Sequence, residues 1–197
     1  MNAKSKKKEQ SHAEILDSAS RLIREKGIGR TSVAEVMKGA GLTVGGFYAH
    51  FPSKEALIDE AIRRAGAETR ERLRRGLAEK PPEARAEAAV DRYLSANHRD
   101  ATGKGCPLPA VAGELTTTAV EHREALEEQI EQMAAELEAL LPRACDSESA
   151  RGKALGLVAL MYGGLSLSRA VRGSELSDEI LASCREVARR VLGSDDG

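Results

Sequence analysis

The chain has 197 residues, a formal net charge of −1 and an aromatic content of 3%. So few aromatic side chains exclude the stacking surfaces on which single-strand and RNA-binding proteins hold their bases. The longest apolar stretch, residues 155–167, is too short to span a bilayer, so no membrane partner is expected.

Cysteine usage and the N-terminus limit where the protein works. No hydrophobic segment typical of a secretory signal follows the N-terminus. The three cysteines are widely spaced and form neither a metal pattern nor a disulfide framework. These features predict a cytoplasmic protein without a metal or other cofactor, and Cys145 is interpreted as an incidental loop thiol.

Composition and charge distribution predict an all-α chain with a basic N-terminal part. Ala, Glu, Arg and Leu dominate, which favours helix, and no alternating run of strand length is found. Residues 1–54 hold 10 Lys and Arg against 5 Asp and Glu, whereas the remainder holds 20 against 26. Basic charge concentrated at one end is typical of a nucleic-acid binder.

The first predicted element is an amphipathic helix over residues 9–26, which Gly27 ends. Apolar residues at helical spacing, Ile15 and Ala19 among them, mark its buried face. We expect residues 1–8, which contain four lysines, to be a disordered basic tail.

Two short helices joined by a tight turn are predicted between residues 31 and 54. Ser32 and Glu35 form a capping-box pattern at the start of the first helix, and Gly39 and Gly41 end it. Thr43 is the expected cap of the second helix. Such a pair is a helix-turn-helix, whose second helix fits a DNA major groove.

The second helix of this pair has two unlike faces. Phe47 and Phe51 lie four residues apart on its inner side, while Tyr48 and His50 leave on the other side. A phenol, an imidazole and the ammonium of Lys54 suit phosphate oxygens, which fix register without reading sequence. DNA binding is therefore favoured over a purely structural helix pair.

Residues 27–57 (G-x-x-x-T-S-V-x-x-V-x-x-x-A-G-L-T-x-G-G-F-Y-x-H-F-x-S-K-E-A-L) resemble the DNA-binding domain of TetR-type transcriptional regulators. The resemblance implies a nine-helix homodimer with a three-helix DNA-binding domain, residues 1–54, and a ligand-sensing and dimerisation domain, residues 55–197. The positions that it assigns to base reading are Thr43, Val44, Gly45 and Gly46. Those that it assigns to phosphate contacts are Ser32, Tyr48, His50 and Lys54. Because the two glycines have no side chains, direct readout falls to Thr43 and Val44.

Six further helices are predicted after the pair. A long helix covers residues 53–78, and a fifth begins at Pro82 and carries its apolar face as far as Asn97. Pro107 opens a sixth, and the last three cover about residues 120–141, 147–171 and 177–192. The centre of the eighth is apolar nearly all round, so it requires more cover than one chain provides. A homodimer through the last two helices, with a palindromic operator, is expected.

Residues 93–115 resemble a branch of the TetR family that includes the N-ethylmaleimide-reductase repressor, in which a Gly-Cys pair is a reactive sensor. Cys106 occupies that position. A helix N-terminus and nearby cationic side chains both stabilise the thiolate form of a cysteine. The alternatives are a packing role for Cys106 or a reversible ligand in a helix-lined cavity. The residues expected to line it, each also explicable as core, are Tyr93, His98, Leu108, Met133, Met161 and Tyr162.

The sequence thus predicts a DNA-binding repressor released by a small molecule, an electrophile or an oxidant, and not an enzyme. A thiol-dependent detoxification enzyme is the alternative from another class, with His98 as the base beside Cys106. The enzyme hypothesis is disfavoured because the sequence shows no set of a nucleophile, a base and a group that orients the base. His12 and His122 are interpreted as solvent-exposed.

Overall fold

The computed structural model describes residues 3–141 and 147–193, so Cys145 lies outside the described residues. Within those ranges the regular secondary structure is entirely helical, and none of these helices is both long and apolar enough to cross a membrane. The nine α-helices of the described ranges are α1 (Ala3–Lys26), α2 (Val33–Gly39), α3 (Lys54–Arg74), α4 (Pro82–Tyr93), α5 (Ala96–Asp100), α6 (Leu108–Leu115), α7 (Arg123–Glu138), α8 (Ser147–Ala170) and α9 (Glu175–Gly193). Three short 3₁₀ helices span Val44–Ala49, Thr102–Lys104 and Val120–His122.

The all-α prediction is confirmed, and the helix count agrees although its members differ. The third predicted helix, Val44–Ala49, is a 3₁₀ helix and not an α-helix. The fifth ends at Tyr93, and a separate short helix, α5, follows it because Ser95 caps that helix through the amide of His98. The long helix α3 ends at Arg74, short of the predicted residue 78.

Helix α1 begins at Ala3, so the prediction of a disordered tail over residues 1–8 is wrong for the residues described. No helix-breaking residue precedes Glu9, and lysine is a good helix former. Ser5 Oγ also donates to Glu9 Oε1 at 3.0 Å, one turn further on. The basic charge therefore continues the helix instead of preceding it.

The chain folds into two compact units, of which the first combines Met1–Ala67 with Gly103–Gln129. In it α1 packs against α2 and α6, and a continuous apolar core forms where their stripes meet. The largest buried side chains of that core include Ile15, Ile23, Met37, Phe47, Phe51, Leu57, Ile58 and Ile62. The segment after Gly103 thus belongs to the same unit as the helix-turn-helix.

The second unit combines Glu68–Thr102 with Ile130–Gly197. Its main packing is α8 on α9, with α4 and α5 against this pair. Gly164 permits the close approach, since a Cβ there would lie 2.7 Å from Cys184 Sγ and 3.1 Å from a Leu94 methyl. One face of α8 is buried through Leu157, Met161 and neighbours, whereas Leu167 is 60% exposed.

Candidate nucleic-acid interface

The first helix of the helix-turn-helix is fixed by the predicted capping box. The amide of Glu35 donates to Ser32 Oγ at 3.3 Å, and the amide of Ser32 donates back to Glu35 Oε2 at 3.2 Å. Lys26 Nζ donates to Glu35 Oε1 at 2.6 Å. The hydrogen bond from Lys26, followed by those from Ser32, lowers the pKa of Glu35 to about 2. Because the Ser32 hydroxyl also donates to Glu35 Oε2 at 2.7 Å, its proton is not directed at solvent.

The turn between the two helices uses its two glycines for different purposes. Gly39 is the last residue of α2, and a Cβ there would lie 2.2 Å from Ser18 Oγ on α1. Gly41 has a φ of +70°, a left-handed conformation that glycine adopts without steric cost. Leu42 N then donates to Met37 O at 2.9 Å, which closes the turn. One glycine therefore allows helix packing, and the other reverses the chain.

The 3₁₀ helix Val44–Ala49, here called the recognition helix, separates buried from exposed side chains sharply. Phe47 and Phe51 are each 1% exposed, and their rings stack with centroids 5.9 Å apart. On the opposite side Val44 is 52% exposed and Tyr48 is 77% exposed. The buried pair of phenylalanines thus anchors the helix, and the side chains of Val44 and Tyr48 project into solvent.

Thr43 precedes the recognition helix in an extended conformation and makes no capping hydrogen bond, so its predicted capping role is wrong. A capping hydroxyl at Thr43 would accept from the amide of Gly46. That amide already donates to the Thr43 carbonyl at 3.1 Å. Thr43 and Gly45 are exposed, and Gly46 is half-buried over a Met37 methyl. The four predicted base-reading positions, 43–46, are therefore consecutive, and all but Gly46 are exposed.

The two remaining phosphate candidates follow the recognition helix. His50 is half-buried, and its Nδ1 is buried without a hydrogen-bond partner among the described residues. Burial, then the charges of His12 and Lys8, lowers the pKa of His50, which favours the neutral ring. Lys54 is the first residue of α3, and it takes part in none of the ion pairs found among the described residues. Its ammonium is accordingly available to an external anion.

The predicted sensing residues divide between the two units. Cys106 and Leu108 lie at the start of α6 in the first unit and are 2% and 5% exposed. In the second unit, Tyr93 and His98 meet edge to face with ring centroids 4.6 Å apart. The other three members of the second unit are the buried Met133 and Met161 and the half-buried Tyr162. The low exposure of Cys106 matches a packing role better than a thiolate open to reagents.

Two contacts of the first compact unit were not predicted from the sequence. Glu114 on α6 accepts from Ile28 N at 3.1 Å and from Gly29 N at 2.7 Å, and so fastens the loop between α1 and α2. His122, predicted to be exposed, is 3% exposed, with Nδ1 2.8 Å from Asp59 Oδ1. Both partners lie more than sixty residues away in sequence, so no local pattern identifies them.

Across the described residues the helical fold with its exposed recognition helix has the architecture of a DNA-binding transcriptional regulator. The family model for bacterial regulatory proteins of the TetR family matches residues 15–61. The model for a tetracyclin repressor-like C-terminal domain matches residues 82–183, more than half of the chain. The chain belongs to the TetR family, and is therefore a transcriptional regulator with a helix-turn-helix and not an enzyme.

Curated relatives match over a short region. The HTH-type transcriptional repressor KstR2 of Rhodococcus jostii is 42% identical over 50 residues, 25% of this chain and 24% of that protein. The HTH-type transcriptional regulator EthR of Mycolicibacterium smegmatis is 47% identical over 57 residues, 27% of this chain and 26% of that protein. The chain thus spans about a quarter of the length of these curated relatives.

Solved structures match over nearly the whole chain. The reduced form of Escherichia coli NemR has a TM-score of 0.79 at 22% identity, covering 95% of this chain and 99% of that one. A TetR regulator from Chloroflexus aurantiacus has a TM-score of 0.76 at 24% identity, covering 94% and 97%. At these identities the likeness shows the fold alone, so the predicted sensor branch stays a prediction.

Proposed function

We propose that this protein is a repressor that binds a palindromic DNA operator as a homodimer and leaves it when an effector binds. The observation that carries the proposal is the recognition helix, which exposes Val44 and Tyr48 above the buried pair Phe47 and Phe51. A surface of this kind in solvent has no role in packing the single chain, whereas it fits a major groove. An operator on a bacterial chromosome requires a cytoplasmic protein.

Each residue of this edge has a specific proposed role. Thr43 donates or accepts at a base edge, and Val44 contacts a thymine methyl. Gly45 and Gly46 allow the backbone to approach the groove closely. The phosphate contacts come from Tyr48, His50, Lys54 and the N-terminus of α2 at Ser32.

Residues 1–54 constitute the proposed DNA-binding domain and residues 55–197 the sensing and dimerisation domain. Support for dimerisation comes from apolar side chains of the second unit that the single chain leaves uncovered. Leu167 on α8 is 60% exposed, and Leu176 and Val187 on α9 are 51% and 46% exposed. A twofold partner on α8 and α9 covers such residues and sets the two recognition helices on an inverted repeat.

The proposed effector is a small molecule that binds the DNA-released state better than the DNA-bound state, since otherwise it shifts no population. Tyr93, His98 and Tyr162 are polar members of the proposed sensing site, and the His98 ring is held by a 2.7 Å contact between its Nδ1 and the Tyr93 carbonyl. The 2% exposure of Cys106 favours this reversible ligand over direct attack by an electrophile or oxidant. Nothing in the comparisons or the site supports the thiol enzyme.

Selection from random duplexes at low salt tests the proposal. We expect one inverted-repeat site to be enriched, and Val44→Ala to relax selectivity at a thymine position by about 1 kcal/mol, the order of a buried methyl contact. The double variant with Leu167→Glu and Leu176→Glu is expected to sediment as a monomer and to bind the full site more weakly. Enrichment of no sequence, or a wild-type monomer at micromolar concentration, would contradict the proposal.

A further inference from the structure

Helix α1 begins well before the part of it that packs on the rest of the first compact unit. Residues 5–10 are all exposed, and Ile15 is the first residue of α1 whose side chain is buried. At 1.5 Å per residue, residues 5–10 make about 9 Å of exposed helix. This segment, here called the basic extension, precedes residue 15, where the match to the family's DNA-binding model begins. Packing within the single chain therefore does not account for it.

The basic extension carries three consecutive exposed lysines, Lys6, Lys7 and Lys8. They take part in none of the ion pairs found among the described residues. The one carboxylate of the segment, Glu9, accepts instead from Ser5 Oγ at 3.0 Å. Positive charge in the first turns of a helix is unfavourable to the free helix, because the backbone dipole is positive at that end. The three charges thus add no stability to the free chain, whereas they suit an external polyanion.

Lys8 places this charge next to a phosphate candidate of the helix-turn-helix. One turn further along α1, the His12 ring stacks on the Phe51 ring with centroids 4.5 Å apart, and its centroid lies 6.2 Å from that of His50. Residues four apart lie on the same face of a helix, so Lys8 and His12 face the same side. Burial, then the charges of His12 and Lys8, lowers the pKa of His50, as expected when both cations lie near its ring. The basic extension therefore starts beside a position assigned above to a phosphate contact.

We propose that the basic extension makes a second contact with operator DNA, in which Lys6, Lys7 and Lys8 bind phosphates that flank the base pairs read by the recognition helix. The contact rests on the proposed function, since only an operator-bound protein makes it. Over about 9 Å of helix axis each strand of B-DNA carries about three phosphates, so the extension and the DNA backbone match in length. Phosphate contacts carry no sequence information. The extension should therefore add affinity and salt dependence without changing which site is preferred.

The test removes the charge of the basic extension and keeps its helix. The triple variant Lys6→Gln, Lys7→Gln and Lys8→Gln does both, since glutamine is also a good helix former. Fluorescence anisotropy on the selected duplex, between about 50 and 200 mM salt, should give a slope of log affinity against log salt concentration that is lower by at least about one. The advantage of wild type should thus shrink at least about fourfold over that range. Selection from random duplexes should enrich the same site for both proteins.

Two matched variants separate charge from fold. The triple variant Lys6→Arg, Lys7→Arg and Lys8→Arg keeps the charge and should keep the wild-type slope. Lys80→Gln combined with Arg75→Gln, at two exposed cations of the second unit, should also leave the slope unchanged.

Three outcomes would overturn this contact alone, provided that wild type enriches a site. They are an unchanged slope for the glutamine variant, an equal fall for the arginine variant or for the second-unit variant, and a different preferred site. A wild type that enriches no site would overturn the operator proposal and this contact together. The two proposals can therefore fail separately.

Discussion

The helix-turn-helix and the second compact unit hold their polar side chains over very different sequence distances. The capping contacts of the helix-turn-helix are local: the amide of Glu35 donates to Ser32 Oγ three residues back, and Thr31 Oγ1 donates to Gly27 O at 2.7 Å four residues back. In the second unit, Arg189 Nε donates to Glu87 Oε1 at 2.7 Å across 102 residues. The comparison shows that a motif can be recognised from the sequence when the residues that hydrogen-bond to each other lie within one helical turn.

The distant contacts of the second unit follow one physical rule. The last carbonyls of an α-helix have no partner within it, and an arginine from another element supplies the donors. Arg92 Nη1 donates to the carbonyls of Arg72 and Leu73 at 3.0 and 2.7 Å, at the end of α3. Arg185 does the same for the Leu94 carbonyl after α4, at 2.6 Å. Guanidinium groups thus fix the helix ends that no local cap secures.

The largest expected effect breaks the aromatic base of the recognition helix. Phe47→Ala removes a ring that is 1% exposed and stacked on Phe51, and should cost about 3–5 kcal/mol of unfolding free energy. Chemical denaturation followed by circular dichroism measures this. Tyr48→Ala, next in sequence but 77% exposed, is the matched control and should cost less than about 0.5 kcal/mol. Equal losses for both would show that the two faces are not distinct.

These two faces also mark how much the sequence could predict. The capping box, the left-handed Gly41 and the inward Phe47 and Phe51 follow from patterns within four residues, and the structure confirms them. The burial of His122 could not be predicted, because Asp59, sixty-three residues earlier, supplies its partner. Long-range contacts leave no periodic trace in the chain.

Gly66 illustrates the same limit within a correctly predicted helix. By sequence it only weakens the middle of α3, since glycine lowers helix propensity. In the structure a Cβ at this position would lie 1.5 Å from Gln129 Oε1, so the glycine makes room for the buried side chain of Gln129 on α7. The sequence pattern therefore indicated that Gly66 lowers helix propensity, but not that Gln129 packs against it.

The next largest effect is expected when the distant cap that Arg92 provides at the end of α3 is removed. Arg92→Met keeps the apolar stem but removes the donor from the end of α3, and should cost about 1–3 kcal/mol, as expected for hydrogen bonds from a charged group. Thermal or chemical unfolding measures the loss. Arg75→Met is the control, since Arg75 lies at the same helix end with a side chain that is 73% exposed. A loss as large for Arg75→Met would exclude a specific capping role for Arg92.

The smallest expected effect is the pH dependence of a local contact, the capping box of α2. The pKa of Glu35 is about 2 in the fold against its ordinary 4.5, so its carboxylate stabilises the fold fully above about pH 4.5. That contribution is lost as the pH falls towards 2. The stability difference between wild type and Glu35→Gln should therefore be present at pH 7 and should close between pH 4.5 and 2. Lys26→Met removes the largest cause of the lowered pKa, so the lower end of this window should rise while its upper end stays near pH 4.5. A difference independent of pH would contradict the assignment.

The salt dependence of operator binding tests most directly whether the recognition helix and the start of α3 contact DNA. Each neutralised phosphate contributes about 0.9 to the slope of log affinity against log salt concentration. On the selected duplex, fluorescence anisotropy should show that Lys54→Gln weakens binding and lowers this slope by about one. Lys80→Gln, an exposed lysine of the second unit, should leave the slope unchanged. An unchanged slope for Lys54→Gln, or the same change for both variants, would contradict the account.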